Sequence, residues 1–262
     1  MGIHPIRKHV LNDIEIYEYV EPRITHPSYL VLGLPDTGLV GALAVKYLVA
    51  RIEASMFAEI DSPKYFQPIS VIHGAIPLSP FYIYINKDNN LLMFVAEAPL
   101  PITSIYPISK TIVEYASLLG VDYIISISGI VAPNRLEIEK PKAYWIATTD
   151  DAAELMKKTG LQALNEGFVV GPYAAILKEA KRRGVRNIAI FVESFLDFPD
   201  PEASAEALKA LSTITGISID TSRLLEEAEL IKLQARELMK QTKKAMMQMR
   251  KNYEMQMPLM YT

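Results

Sequence analysis

Apolar and polar residues alternate through Ile14–Val20 (IEIYEYV), the period-two pattern of a strand with one buried face. Tyr29–Leu34 (YLVLGL) is a short apolar run ending in Gly and Pro, which predicts a buried strand. Gly38–Ala54 follows with helical spacing, and Asp36 or Thr37 is placed to cap it. Met56–Ile60 predicts another short strand. Phe81–Ile85 (FYIYI) and Leu91–Ala96 (LLMFVA) flank Asn86-Lys-Asp-Asn-Asn90, a hairpin signal because Asn and Asp tolerate positive φ. Ile105–Leu119 reads as a helix stopped by Gly120. Beyond it, strands are predicted at Asp122–Ser128, Ala143–Thr148, Phe168–Val170 and Asn187–Val192. Helices are predicted at Asp151–Lys158, Tyr173–Arg183 and Glu202–Thr215.

Short apolar strands alternating with helices imply an α/β domain with a mainly parallel sheet covered on both faces. The hairpin adds an antiparallel element, so the sheet is expected to be mixed. No internal repeat or low-complexity segment is visible. The one clear boundary is the capping cluster Asp220-Thr221-Ser222, which separates a domain over 1–221 from a helical arm over 222–257 and a tail over 258–262. From Arg223 to Met257 there is no Gly or Pro, enough for an arm of roughly 50 Å. The arm carries a stripe of Leu224, Ala228, Ile231, Ala235, Leu238, Thr242, Ala245 and Met249, spaced alternately by four and three. That is the seam spacing of a coiled coil. Its small residues suit close helix–helix approach between subunits, so Leu224, Ala228, Ile231, Ala235 and Leu238 are the expected oligomer contacts. Packing of the first half of the arm on its own body is the competing reading. A second stripe, Met239, Met246 and Tyr253, runs beside it.

Composition narrows the picture. The 262 residues include no cysteine, which removes disulfides and thiolate metal sites and fits a reducing, cytoplasmic setting. The opening MGIHPIRKHVLND lacks the apolar core of a signal peptide, and no uncharged apolar run approaches a membrane span. Net charge is −3, too small to argue for nucleic acid. Its distribution is uneven: the chain from Arg223 onward carries +3 and residues 1–222 carry −6.

Candidate chemistry is sparse. Gly33-Leu-Pro-Asp-Thr-Gly38-Leu-Val-Gly41 is a glycine-rich strand-to-helix turn, a form that can cradle phosphate. Leu39 and Val40 stand where a Walker loop needs Lys and Ser or Thr, and its glycines lack dinucleotide spacing. Close packing of the helix on the sheet is the simpler reason for Gly38 and Gly41. His4, His9, His26 and His73 show no metal-ligand spacing. Glu97 and Glu193 each follow an apolar strand, near the ends where open α/β sheets bind ligands. An enzyme or nucleotide-binding module built on this turn and one of these carboxylates is one alternative reading, and a coiled-coil adaptor for another partner is the second. Ser126 and Ser128 lack the nucleophile-elbow pattern. No catalytic residue, cofactor or metal is indicated.

The tail differs from this background. Pro258 ends the helix, so Leu259-Met260-Tyr261-Thr262 is expected to be extended and free. An extended apolar-aromatic segment with a terminal carboxylate has the form of a docking peptide. Met260-Tyr261-Thr262 resembles the hydrophobic–Tyr–X motif of proteasome activators. The body resembles the proteasome-assembly-chaperone family, through the Gly33–Gly41 turn, Ser126-Ile-Ser-Gly129, Gly171-Pro-Tyr-Ala-Ala-Ile-Leu177, Phe191–Ala203 and Gly216-Ile-Ser-Ile-Asp220, in the family's order. The resemblance spans roughly 14–235; Tyr173-Ala-Ala departs where many members are richer in Gly and Asn. It implies a three-layer α/β sandwich similar to nucleoside-phosphorylase-like domains and a non-enzymatic homo-oligomer, with a tetramer favoured. It also implies binding to 20S proteasome α-subunits, as an assembly chaperone or an ATP-independent activator. Leu259, Met260, Tyr261 and Thr262 would then contact the particle, with Pro258 orienting them.

Overall fold

The computed structural model describes residues 4–86 and 90–254. The chain opens with β1 (Arg7–Leu11), β2 (Ile14–Glu18) and β3 (Tyr29–Gly33), then α1 (Val40–Arg51) and β4 (Ser55–Asp61). A small separate hairpin, β5 (Val71–His73) with β6 (Ile76–Leu78), precedes β7 (Phe81–Asn86), β8 (Leu91–Ala96) and α2 (Ile105–Leu118). β9 (Tyr123–Val131), β10 (Ala143–Ala147), α3 (Asp150–Lys157), β11 (Gln162–Ala163), α4 (Pro172–Arg183), β12 (Asn187–Ser194) and α5 (Pro201–Thr215) complete the domain.

Among the described residues ten strands form one sheet in the order β1-β2-β4-β7-β8-β3-β9-β12-β10-β11. Parallel pairing links β8, β3, β9 and β12 at its centre, and β10 with β11 at one edge. β1, β2, β4, β7 and β8 pair antiparallel, as do β10 and β12. The sheet is mixed as expected but not mainly parallel: among the described residues five of its nine strand pairs are antiparallel, and the parallel pairs are concentrated where helices cover both faces.

The central strands are apolar on both sides, and their alternation sorts residues between two cores. Tyr29, Val31, Leu91, Met93, Ile125 and Ile127 pack with α1, α3 and α5. Leu30, Leu32, Leu92, Phe94 and Ile124 pack with α2 and α4. The result is the three-layer sandwich. The expected Phe168–Val170 strand does not form: Phe168 is fully exposed, and Gly167 and Gly171 at φ +147° and +77° turn the chain away from the sheet. The turn residues 87–89 lie outside the described residues, but the strands on either side pair from Asn86↔Leu91.

The arm comprises α6 (Ser222–Glu226), α7 (Ala228–Gln234) and α8 (Arg236–Glu254). Dihedrals drift at Glu227 and Ala235, yet helical bonds run through both points, from the Ile231 N–H to Glu227 O and from the Met239 N–H to Ala235 O, each 2.9 Å. The stripe faces the chain's own body. Leu224 is buried with Ile231 packed beside it in the α1–α5 core. Ala235 and Met239 pack with Leu39, Ala42, Leu43 and Leu238, and Thr242 is buried. Lys243 Nζ reaches Asp197 Oδ2 at 2.7 Å. The small residues admit close helix approach, and within the single chain the helix they face is α1 of the same body. The outward face of the arm carries Leu225, Leu230 and Leu233 instead.

Candidate functional site

The glycine turn leaves β3 at the centre of the sheet and enters α1 through two left-handed residues, Gly38 at φ +61° and Leu39 at φ +53°. No side-chain hydrogen bond from Asp36 or Thr37 caps the helix, contrary to the spacing argument. The turn is instead held by packing. A Cβ on Gly33 would lie 2.6 Å from Val45 Cβ, and one on Gly129 would lie 2.6 Å from Thr37 O. A Cβ on Gly41 would collide with Ile127 O, and one on Gly38 with Ser194 Oγ. The chain's own atoms therefore fill the crevice at the ends of β3, β9 and β12, the place where open α/β sheets hold ligands.

Polar groups around the turn serve the same purpose. The Ser128 hydroxyl donates to Asp36 Oδ2 at 2.8 Å. Burial pushes the Asp36 carboxyl above its ordinary range, while Ser128 and the Thr37 N–H pull it back in part. The Tyr173 hydroxyl accepts from the Leu34 N–H at 2.9 Å and donates to Leu32 O at 3.2 Å. Tyr173 thus staples α4 to the end of β3, which gives the Tyr173-Ala-Ala variation a structural role. Asp200 caps α5 by accepting from the Ala203 N–H, and its own N–H donates to Gly38 O. Its carboxylate takes both Arg135 Nε at 2.8 Å and Arg135 Nη2 at 3.0 Å. The D-P-E-A pattern at 200–203 signals the cap; nothing local in the sequence signals Arg135, 65 positions away.

Glu193 accepts from the Lys142 N–H at 2.9 Å and the Tyr144 hydroxyl at 3.2 Å, tying β12 to β10. Glu97 sits differently. Oε1 accepts from Lys46 Nζ at 2.8 Å, and Oε2 lies 2.6 Å from His73 Nε2. Burial raises its carboxyl, but the hydrogen bonds from Lys46 and His73 outweigh that and hold it below the usual glutamate value. Together these residues join α1, the end of β8 and the small hairpin beside a cavity under the arm. Glu97 and Glu193 lie on opposite sides of the sheet centre and do not form one site. Among the described residues no group of three His, Cys, Asp or Glu is arranged to hold a metal. No helix among them is long and apolar enough to cross a membrane. Pro258, Leu259, Met260, Tyr261 and Thr262 lie outside the described residues.

Comparison with known proteins gives these features a common setting. The protein MJ1210 of Methanocaldococcus jannaschii is 24% identical over 77% of this chain and 79% of its own length. Pyrococcus furiosus PbaA, described as an archaeal homolog of proteasome-assembly chaperone, superposes with a TM-score of 0.80 at 26% identity, covering 88% of this chain and 99% of PbaA. Pyrococcus furiosus PbaB, described as an archaeal proteasome activator, shares the fold with a TM-score of 0.72 at 24% identity, covering 87% of this chain and 99% of PbaB. The PAC2 family pattern matches residues 30–239, a span that contains the glycine turn, the Arg135–Asp200 pair and the arm as far as Met239. This chain belongs to the PAC2 family.

Proposed function

We propose that this protein is a non-catalytic scaffold that acts on the 20S proteasome core particle without ATP. The observation that carries the reading is membership of the PAC2 family combined with 26% identity across nearly all of PbaA, the archaeal homolog of proteasome-assembly chaperone. In this reading Met260 and Tyr261 enter pockets between α-subunits, Leu259 and Thr262 complete the contact, and Pro258 sets the direction of the strand. Tyrosine suits such a role, giving large apolar area and a hydroxyl at low entropic cost. A filled crevice at the glycine turn weighs against the nucleotide-binding alternative.

A single short segment binds weakly, whereas several on one oligomer gain about 10²–10⁴-fold in apparent affinity. A homo-oligomer, with a tetramer as the expected size, supplies that multiplicity. Exposed apolar side chains support self-association: Leu136, Phe168 and Phe198 on the body, and Leu230 and Leu233 on the outer arm.

Deletion of Met260–Thr262 tests the proposal. Co-migration with purified 20S particles should be lost, while native mass spectrometry of the isolated protein shows the same oligomer as before. Undiminished co-migration would exclude the tail as the contact. Peptide hydrolysis by latent core particles, with and without the protein, separates gate opening from assistance in assembly.

A further inference from the structure

A cavity of about 480 Å³ lies between the first part of the arm and the body. Leu43 of α1 forms one wall, and Leu224, Ile231 and Leu238 of the arm form the other. Lys46, Arg51, His73 and Glu97 contribute its polar groups from the body. A mainly apolar concavity of this size with a few convergent polar groups is the usual form of a small-molecule site.

The polar groups decide which ligand fits. Both Glu97 oxygens already have partners, in Lys46 and His73. The donors are not used up. An ammonium has three N–H groups, and the Lys46 side chain remains 65% exposed with one of them committed to Glu97. The Arg51 guanidinium lies 4.9 Å above the Tyr47 ring and, among the described residues, forms no ion pair within 4.0 Å; after the hydrogen bonds from Ser222, its charge helps hold the Asp220 carboxyl below the ordinary range. Glu227, exposed on the arm, is the second carboxylate of the lining and lies on the opposite wall from Lys46. The spare hydrogen-bonding capacity on the α1 side therefore consists of cationic donors above an apolar volume.

We infer that this cavity binds a small amphipathic anion: a carboxylate or phosphate head on Lys46 and Arg51, with an aliphatic or aromatic body against Leu43, Ile231 and Leu238. Such a ligand touches α1 and two segments of the arm at once, so its binding adds contacts that hold the arm on the body. The inference does not depend on the proteasome reading.

Decanoate, decyl phosphate and decylamine are suitable probes, titrated into the full chain with methyl NMR and amide hydrogen exchange as readouts. One or both anions should shift the methyl signals of Leu43, Ile231 and Leu238 and slow exchange across 224–238. Comparing the two identifies the preferred head group. Decylamine, with the same chain and opposite charge, should bind at least about tenfold more weakly. Lys46→Met should weaken anion binding about tenfold or more, and Ile231→Trp should block it by filling the cavity while exchange in β9 stays slow. Equal binding of decylamine, undiminished anion binding by Lys46→Met, shifts confined to other surfaces, or no shift up to the solubility of the anions would each overturn the assignment.

Discussion

At Gly41 the absence of one methyl group lets α1 lie against the end of β9, since a Cβ there would strike Ile127 O and come within 2.9 Å of the Tyr173 hydroxyl. Both obstacles are backbone or fully buried, so neither yields easily. Gly41→Ala is expected to lower stability by about 2–3 kcal/mol through overpacking. Gly120→Ala, in open space at φ +70°, should cost only about 1–2 kcal/mol for its left-handed backbone. Urea denaturation of the two variants measures the difference. Asp36 gives a test with pH. Its folded carboxyl titrates above the unfolded value of 3.8, so the folded state binds the extra proton, and stability falls as pH rises between the two values. Asp36→Asn keeps an acceptor for the Ser128 hydroxyl and cannot ionise. Its melting temperature relative to the parent should therefore increase from pH 4 to pH 7 in calorimetry. That glycines would pack this turn was legible in the sequence, from the missing Walker and dinucleotide spacing. That Asp36 would be held by Ser128, 92 positions away, was not.

Elements with a strong period were legible, and those with a single neighbour were not. β3, β7, β8 and much of β12 are apolar on successive residues because both of their faces are covered, and β9 differs only by its buried Ser126 and Ser128 and by Gly129. β1 reads RKHVL and carries no apolar period: as the sheet's edge strand it buries little, and Val10 is exposed. The β5–β6 hairpin has three residues per strand and a proline in the second, too short for any period to register. Phe168–Val170 misled for the opposite reason, being apolar without a place in the sheet. The arm's stripe was legible as a buried face, and within the chain α1 and α5 cover part of it. Spacing marks which face of a helix is buried, but not whether the covering surface belongs to the same chain. Met239→Asp would set a charge against Leu39 and Ala42. We expect it to speed amide exchange across 235–249 while leaving β9 protected, because the cluster around Met239 is separate from both cores, whereas Ile231 packs on one of them. The Lys243–Asp197 pair is about two-thirds shielded, and Asp197→Asn should change stability by no more than about 1 kcal/mol.

At the scale of the whole molecule, charge is divided between a basic arm and an acidic body. If the arm leads the approach to the core particle, cations between Lys240 and Lys251 steer it towards an acidic ring surface. Raising ionic strength should then slow association more than it speeds dissociation, since steering acts over distances comparable to the screening length. Surface plasmon resonance at several salt concentrations reads both rates, and an association rate independent of salt would remove the steering role.

The α/β class, the two-sided burial of the central strands and the start of the arm near Ser222 follow from the sequence by itself, because periodicity and capping are properties of neighbouring residues. Only the tertiary structure decided what those elements meet. Lys46 and Glu97 are 51 positions apart, Arg135 and Asp200 are 65 apart, and both pairs exist because the strand order brings separate chain segments to one end of the sheet. The same packing turned the arm's stripe inward, closed the crevice at Gly33–Gly41 and left an open cavity beneath the arm. Contacts of that kind depend on distances between segments, and no local pattern along the chain carries them.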